Sequence, residues 1–363
     1  MLVATFILGG YVVLVFVLTV GWERAIRHRH HGEIASEARI SVIIPVRDEA
    51  RNVSRLISCL TQQQYSNFEV IFVNDHSSDE TVHLIKAAGV HNVHVHHSSS
   101  NGKKAAITEG VRLATGTIIA TTDGDCVSAP GWLRAINASF TDADTVFVFG
   151  PVRFLPGNSV VSSMQSIEFA SLIGSGAATA TLGFPTMCNG ANLAYRKTVF
   201  EEVGGYTGNL QVASGDDEFL MRKVHERYPG GIAFAASADA IVDTEPPGDF
   251  STFFNQRIRW ASKWRHQTSL ATGVLALFIV MSQAATIFCL FQLLTAVSLW
   301  ALLVLLAKAV AEYYFLRKVC KFLRLKWNPL AFTALQVLYP VYVIVIGVIS
   351  NFMPYRWKGR QGR

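Results

Sequence analysis

Charge is scarce in this sequence. Lys, Arg, Asp and Glu make up 16% of its 363 residues, against roughly 25% in an ordinary soluble domain. The scarcity is local. Residues 1–21 carry no charged side chain, and residues 270–363 carry ten bases but a single acid, Glu312. With half of the residues apolar, this pattern argues against a wholly soluble, disordered or fibrous chain and for a globular domain that shares the chain with membrane segments. Cysteine is scarce too. The five (Cys59, Cys126, Cys188, Cys289, Cys320) are odd in number, widely spaced and free of CxxC pairs, which argues against a disulfide framework or zinc site and fits reduced thiols on a cytosol-facing domain. The GxxxxGK[ST] spacing of a phosphate loop is absent. So is a basic stripe on the central region: residues 40–269 hold 18 bases against 22 acids. The net +6 therefore comes from membrane-flanking residues, and nucleic acid is not an expected partner.

What is present begins with apolar runs. Leu2–Val20 is long enough to span hydrocarbon. Its basic residues follow it (Arg24, Arg27 and Arg29, with His28, His30 and His31), which reads as an uncleaved anchor rather than a signal peptide and puts residue 22 onward in the cytoplasm. Leu270 to Phe315 is too long for one helix at about 1.5 Å per residue, so two spans with a tight turn near Gln292–Thr295 are expected. A basic loop (Arg317, Lys318, Lys321, Arg324, Lys326) precedes a last run, Leu330–Phe352, with Pro340 at its middle. If that run crosses once, the basic loop and the basic tail (Arg356, Trp357, Lys358, Gly359, Arg360) fall on opposite sides, against the positive-inside rule. A helix broken at Pro340 and re-entering the same face resolves the conflict; both readings stay open.

Between the runs, short β-branched segments alternate with helical patterns. Arg39–Val46 reads as a buried strand. Asp48 is placed to cap a helix from Glu49 to about Gln63 with Val53, Leu56, Ile57 and Leu60 inward. Phe68–Val73, Val93–His96 and Thr117–Thr121 read as strands, with helices over Glu80–Ala88 and Lys103–Ala114. This βαβαβαβ order implies a parallel sheet covered on both faces. Ligands of such sheets bind at the strands' carboxyl ends, where Asp75, Asp123 and Asp125 fall.

Asp123-Gly124-Asp125 spaces two carboxylates by one small residue, so both can face a Mg²⁺ or Mn²⁺ ion that keeps substrate phosphates in its shell; alone, the pattern is more often a solvated turn. Val73–Ser77 offers Asp75 as an acceptor for a base N–H, or a polar turn. Lys103 and Lys104 open a helix, where their charge opposes the dipole unless an anion binds. Ser214–Glu218 gathers three carboxylates whose repulsion would raise at least one pKa, as a general base requires; a helix N-terminus also favours acids. Gln256–Trp260, with Lys263, Trp264 and Arg265 beyond, is placed for an interfacial helix. His94 and His96 share one face of a strand near His91 and His97, but no carboxylate or cysteine completes a metal set. Met164–Phe169 with Gly174–Ala180 reads as a mobile acceptor-site lid or as an ordinary helix and loop. Cys126 and Cys188 read as packing residues.

Taken in order, these motifs resemble those of the family 2 glycosyltransferases, the inverting GT-A group with membrane-embedded members. The resemblance rests on SVIIPVRDE, VNDHSSDET, NGKKAAITEG, TTDGD, the Asn189-Gly190-Ala191-Asn192 to Tyr195-Arg196 segment, SGDDEFL and QRIRW, and covers about residues 40–265. It implies an α/β GT-A fold, Rossmann-like and nucleotide-sugar-binding, with one N-terminal and about three C-terminal transmembrane helices. The implied boundaries are an anchor over 1–21, a cytosolic catalytic domain over 22–269, membrane helices over 270–352 and a basic tail over 353–363. By resemblance Asp217 is the catalytic base. Asp75, Glu49, Lys103, Asp123, Gln256, Arg259 and Trp260 hold the donor, and Asp123 and Asp125 the metal; Asn192, Asp216 and Trp260 line the acceptor region. His76, Asn74 and Asp48 depart from the family's usual Gly, Asp and Asn, and His76 requires a different turn.

The implied activity is metal-dependent transfer, with inversion, from a nucleotide sugar (UDP-sugar by resemblance) to a lipid or glycan acceptor at a bacterial cytoplasmic membrane. The alternative is a processive polysaccharide synthase, which QxxRW permits and which about four spans leave little material to serve. A catalytically silent subunit of a lipid-export complex is a third reading, set against a full complement of acids.

Overall fold

The computed structural model describes residues 1–27, 37–210, 215–262, 270–357 and 360–362. The features expected at His28, Arg29, His30 and His31, at Ser214, at Lys263, Trp264 and Arg265, and at Lys358 and Gly359 lie outside the described residues.

Along the chain run α1 (Leu2–Arg27), β1 (Ile40–Val46), α2 (Val53–Thr61), β2 (Phe68–Asn74), α3 (Thr81–Ala87), β3 (Val93–His97), α4 (Lys103–Leu113) and β4 (Ile118–Thr121). Next come β5 (Val127–Ser128), α5 (Trp132–Ser139), β6 (Phe147–Phe149), β7 (Val152–Phe154), α6 (Val160–Thr181), β8 (Leu193–Arg196) and α7 (Lys197–Glu202). Last are α8 (Asp216–Arg227), β9 (Ile232–Phe234), β10 (Val242–Thr244), α9 (Phe250–Ser262), α10 (Leu270–Ala296), α11 (Leu299–Phe322) and α12 (Pro329–Ile349). Two compact units result. One comprises Met1–Trp22, Pro156–Gly174 and Pro246–Arg363, the other Glu23–Leu155 and Ser175–Glu245.

The second unit is built on a seven-stranded sheet of order β3-β2-β1-β4-β8-β6-β9. Its first four strands are parallel, as their sequence pattern requires. β1 pairs with β2 from Ile40↔Phe68 to Val46↔Asn74 and with β4 from Ile40↔Ile118 to Ile43↔Thr121. All of β1 except Pro45 is buried, which is why the strand reads as an unbroken apolar run. Ser41, polar within that run, donates to Glu69 Oε1 at 2.5 Å. Burial alone would raise the Glu69 pKa, but the bonds from Ser41 and Thr115 outweigh it and hold it below its usual value. Val53, Leu56, Ile57 and Leu60 of α2 are buried as expected.

Two expectations need correction here. The parallel sheet is only half of a mixed one, because β8 runs antiparallel to β4 and β6. The pairing Thr121↔Leu193 brings the residues before β8 to the carboxyl end of β4. Asp48 does not cap α2. It takes a left-handed φ of 52°, outside the extended range of an N-cap, and its Oδ1 accepts from Ser78 N at 2.7 Å. The helix starts later, at Val53.

Among the described residues, four helices are long and apolar enough to cross a membrane: Leu2–Arg27, Thr272–Ala296, Leu299–Phe322 and Pro329–Ile349. The break between the middle two falls at Val297 and Ser298, beyond the expected Gln292–Thr295. There Ser298 caps α11 by accepting from Ala301 N, a stop signal that the apolar run conceals. α12 continues through Pro340; its 21 residues span about 31 Å, so the break and re-entry at Pro340 is not adopted. α6 is one continuous helix, which removes the lid-loop reading of Gly174–Ala180. α9 packs on α12 through Ile258 and Ile346.

A polar centre lies inside these helices. Lys308 Nζ is 2.8 Å from Glu312 Oε1, with 2% and 12% of the side chains exposed. The Tyr11 hydroxyl donates to the same oxygen at 2.6 Å, and Lys308 reaches Gln336 Oε1 at 3.4 Å. The cluster ties α1, α11 and α12. Lys308→Leu strands a carboxylate among apolar helices and is expected to cost roughly 3 kcal/mol. Lys308→Leu/Glu312→Leu should recover most of that. Thermal unfolding in detergent checks this; a double variant as unstable as the single one would contradict it.

Candidate active site

The carboxyl edge of the parallel strands gathers most of the expected residues. Order β3-β2-β1-β4 reverses direction between β1 and β4, the switch point where such sheets bind ligands. Glu49 follows β1, Asp75 follows β2, and Asp123 follows β4.

Lys103 stands at the centre. Its Nζ lies 2.6 Å from Asp123 Oδ1 and 3.2 Å from Asp216 Oδ2. Burial would lower its pKa, but Asp123 and then Asp216 and Asp217 outweigh burial, so the ammonium is held well above its ordinary value. The anions expected at this helix N-terminus are thus the protein's own carboxylates. Asp75 adds to them: its Oδ1 accepts from Gly102 N at 3.0 Å. Lys104, by contrast, is buried, donates to Asn209 O at 2.7 Å and lies over the Phe219 ring.

Asp216 and Asp217 open α8. Asp217 is buried, and both its oxygens accept backbone N–H bonds, Oδ2 from Gly190 at 3.0 Å and Oδ1 from Glu218 at 2.8 Å. The expected repulsion among the acids is therefore offset by Lys103 and by these N–H groups. Gly190, which the motif spacing alone does not single out, packs against this centre. A Cβ there would sit 3.0 Å from Asp216 Oδ2 and 3.1 Å from Lys103 Nζ, tighter than ordinary packing allows.

Gly124 serves the turn between Asp123 and Asp125 in the same way, since a Cβ would come 2.8 Å from Glu49 Cγ. Glu49 is buried and held by Thr81 Oγ1 on its N–H and by Asn52 on its Oε2. The neighbouring Cys126 thiol is pushed up by burial and by the charges of Asp125 and Asp123. Asp123 and Asp125 offer hard oxygens suited to Mg²⁺ or Mn²⁺. Among the described residues no three His, Cys, Asp or Glu side chains form a metal cage, so an ion here would draw its other ligands from water and substrate phosphates, as Mg²⁺ commonly does.

His76 takes a left-handed φ of 59° where the family pattern has glycine, with Nδ1 3.4 Å from Asp75 Oδ1. Beside it a pocket of about 430 Å³ is lined by Asn74, His76, Asp79, His97 and Ser98, among others. Asn192 leaves the acceptor set. It is buried, takes the Trp132 indole N–H at 3.0 Å, and donates to Pro151 O and Ala240 O; its amide is spent on joining the sheet to its surroundings.

Gln256, Arg259 and Trp260 belong to α9 of the first unit and are half-buried there. Gln256 Oε1 accepts from Arg257, and Trp260 stacks on Phe169 with ring centroids 5.9 Å apart. Arg257 and its partner Glu168 went unread in the motif. The available signal was that Glu168 is the only charged residue between Arg153 and Arg196.

The mixed α/β domain thus places a carboxylate–lysine centre at its switch point. Residues 41–204 match the family profile described as Glycosyl transferase family 2. Glycosyltransferase AglE of Haloferax volcanii is 25% identical over 225 residues, 61% of this chain and 71% of that protein. Poly-beta-1,6-N-acetyl-D-glucosamine synthase of Staphylococcus aureus is 25% identical over 228 residues, again 61% of this chain but 53% of that protein, so the match spans about half of that relative's length. Among solved structures, the mannosyltransferase PcManGT from Pyrobaculum calidifontis, in complex with GDP-Man and Mn²⁺, shares the fold with a TM-score of 0.61 at 17% identity, covering 96% of this chain and 99% of that one. Over residues 41–204, just under half of the chain, the sequence is that of a glycosyltransferase family 2 domain by this profile.

The Lys103 centre makes a pH-dependent prediction. Lys103→Met leaves Asp123 and Asp216 without this counter-charge and is expected to cost about 1–3 kcal/mol at pH 8. Because the folded-state pKa of Lys103 is raised, the wild-type contribution is complete below about pH 10 and lost only as pH rises through the higher folded value. The deficit should therefore hold from about pH 6 to 9. Thermal unfolding over that range measures it; a variant as stable as wild type at pH 8 would contradict the assignment.

Proposed function

We propose that this glycosyltransferase moves a sugar from a nucleotide sugar to a lipid or other membrane-proximal acceptor, inverting the anomeric carbon. The observation that carries this reading is the Lys103–Asp123–Asp216 centre beside Asp217, in a chain whose described residues include four helices long and apolar enough to cross a membrane. In this reading the donor's nucleobase lies by Asp75 and the adjoining pocket. Lys103 faces the diphosphate, and Gln256, Arg259 and Trp260 hold the diphosphate and close the acceptor region. Asp123 and Asp125 are the residues that would hold Mg²⁺ or Mn²⁺, an ion that when bound neutralises charge on the leaving nucleoside diphosphate. Asp217 takes the proton from the acceptor hydroxyl, oriented by the N–H groups of Gly190 and Glu218. A single displacement follows, and the configuration inverts.

Residues 22–269 form the catalytic region in this proposal, on the cytosolic face of a bacterial cytoplasmic membrane, with the basic residues after α1 inside. The processive reading keeps support from the likeness to the Staphylococcus aureus synthase and from QRIRW. Four spans supply little wall for a polymer channel, which favours single transfer.

Membranes containing the protein, given radiolabelled nucleotide sugars with Mg²⁺ or Mn²⁺ and then extracted with organic solvent, test the proposal. Label should enter the organic phase, and Asp217→Asn should lower transfer about 10²- to 10⁴-fold. Label in an ethanol-insoluble polymer would replace it with the processive reading. Undiminished transfer by Asp217→Asn would remove Asp217 as the base.

A further inference from the structure

We propose that Arg257 is a positioning residue: paired with Glu168, it fixes Gln256 and Trp260 in the conformation the enzyme uses. This rests on the role given to those two residues above.

Arg257 and Glu168 are both nearly sealed from solvent, with 3% and 8% of the side chains exposed. They form a two-pronged pair: Arg257 Nε donates to Glu168 Oε1 at 3.0 Å, and a terminal nitrogen donates to Oε2. The other terminal nitrogen donates to Gln256 Oε1. The guanidinium lies between two rings, 4.5 Å from the Phe253 centroid and 4.4 Å from that of Trp260. Glu168 also accepts from the Tyr342 hydroxyl at 3.4 Å. Phe169, next to Glu168, stacks on the Trp260 ring.

A pair buried this deeply is a poor source of stability, because desolvation offsets the Coulomb attraction, and apolar residues of similar volume often serve the fold as well. What it does supply is direction. The planar fork of arginine meets a carboxylate in one orientation and stacks its faces on aromatic rings. Here one guanidinium contacts the residue before it and the residue three after it, and both are motif side chains. Glu168, on α6, sets where that guanidinium points. Apolar packing of α9 on α12 through Ile258 and Ile346 holds the helix, and the guanidinium contacts hold the two motif side chains.

The decisive variant is Glu168→Leu/Arg257→Leu in the full chain, because it separates direction from stability. Unfolding temperature in detergent should stay near wild type, while kcat/KM for the nucleotide-sugar donor falls at least tenfold. Wild-type transfer by this variant would overturn the proposal. If the double variant does not fold, Arg257→Lys decides. It keeps the charge but loses the fork and the planar stack, and the same tenfold loss is expected; transfer equal to wild type would overturn the proposal. A failure of the glycosyltransferase reading itself is distinguishable, since wild type would then transfer no sugar at all.

Discussion

One ammonium group organises the carboxyl edge of the parallel strands. Lys103 sits between Asp123, from the turn after β4, and Asp216, from the start of α8. Without it, carboxylates from distant parts of the chain would repel one another at close range. With it, they can be packed close enough to act together. Gly190 fits this arrangement, since a Cβ there would crowd Asp216 and Lys103 more tightly than ordinary packing. The antiparallel course of β8 fits it as well, because it delivers Gly190 to the edge where the parallel strands end.

Much of this was legible in the sequence, for local reasons. The four parallel strands announce themselves as β-branched runs, and the acids fall just past their ends. Register does the rest: Val46↔Asn74 and Ile43↔Thr121 align the strand ends so that the acids converge. What escaped depends on partners distant in sequence. Asp48 looks like a helix cap until Ser78 claims its carboxylate. Asn192 looks like a surface polar residue within a motif until Trp132, Pro151 and Ala240 consume its amide. The Arg257–Glu168 pair joins positions 89 residues apart, and no local period reveals it.

The apolar unit follows the same rule in a different solvent. An uncompensated charge is costly among hydrocarbon and tolerable when paired. Lys308 and Glu312 are one turn apart on α11, and Tyr11 and Gln336 bring α1 and α12 to them. The N-terminal helix is therefore more than an anchor: it contributes a hydroxyl to the polar core of the bundle. In each unit a few charges sit buried or nearly so and paired, Lys103 with Asp216 in one and Arg257 with Glu168 in the other, and they join segments distant in sequence.

The central claim is that the Lys103 centre is a cation-dependent diphosphate site. The most direct measurement is calorimetric titration of the purified full chain with UDP and with GDP, in the presence and absence of Mn²⁺, repeated on Asp123→Asn. The account predicts that one of the two nucleotides binds at least tenfold more tightly with the ion than without it, and that Asp123→Asn abolishes the difference. Equal affinity with and without the ion, unchanged by Asp123→Asn, would contradict it.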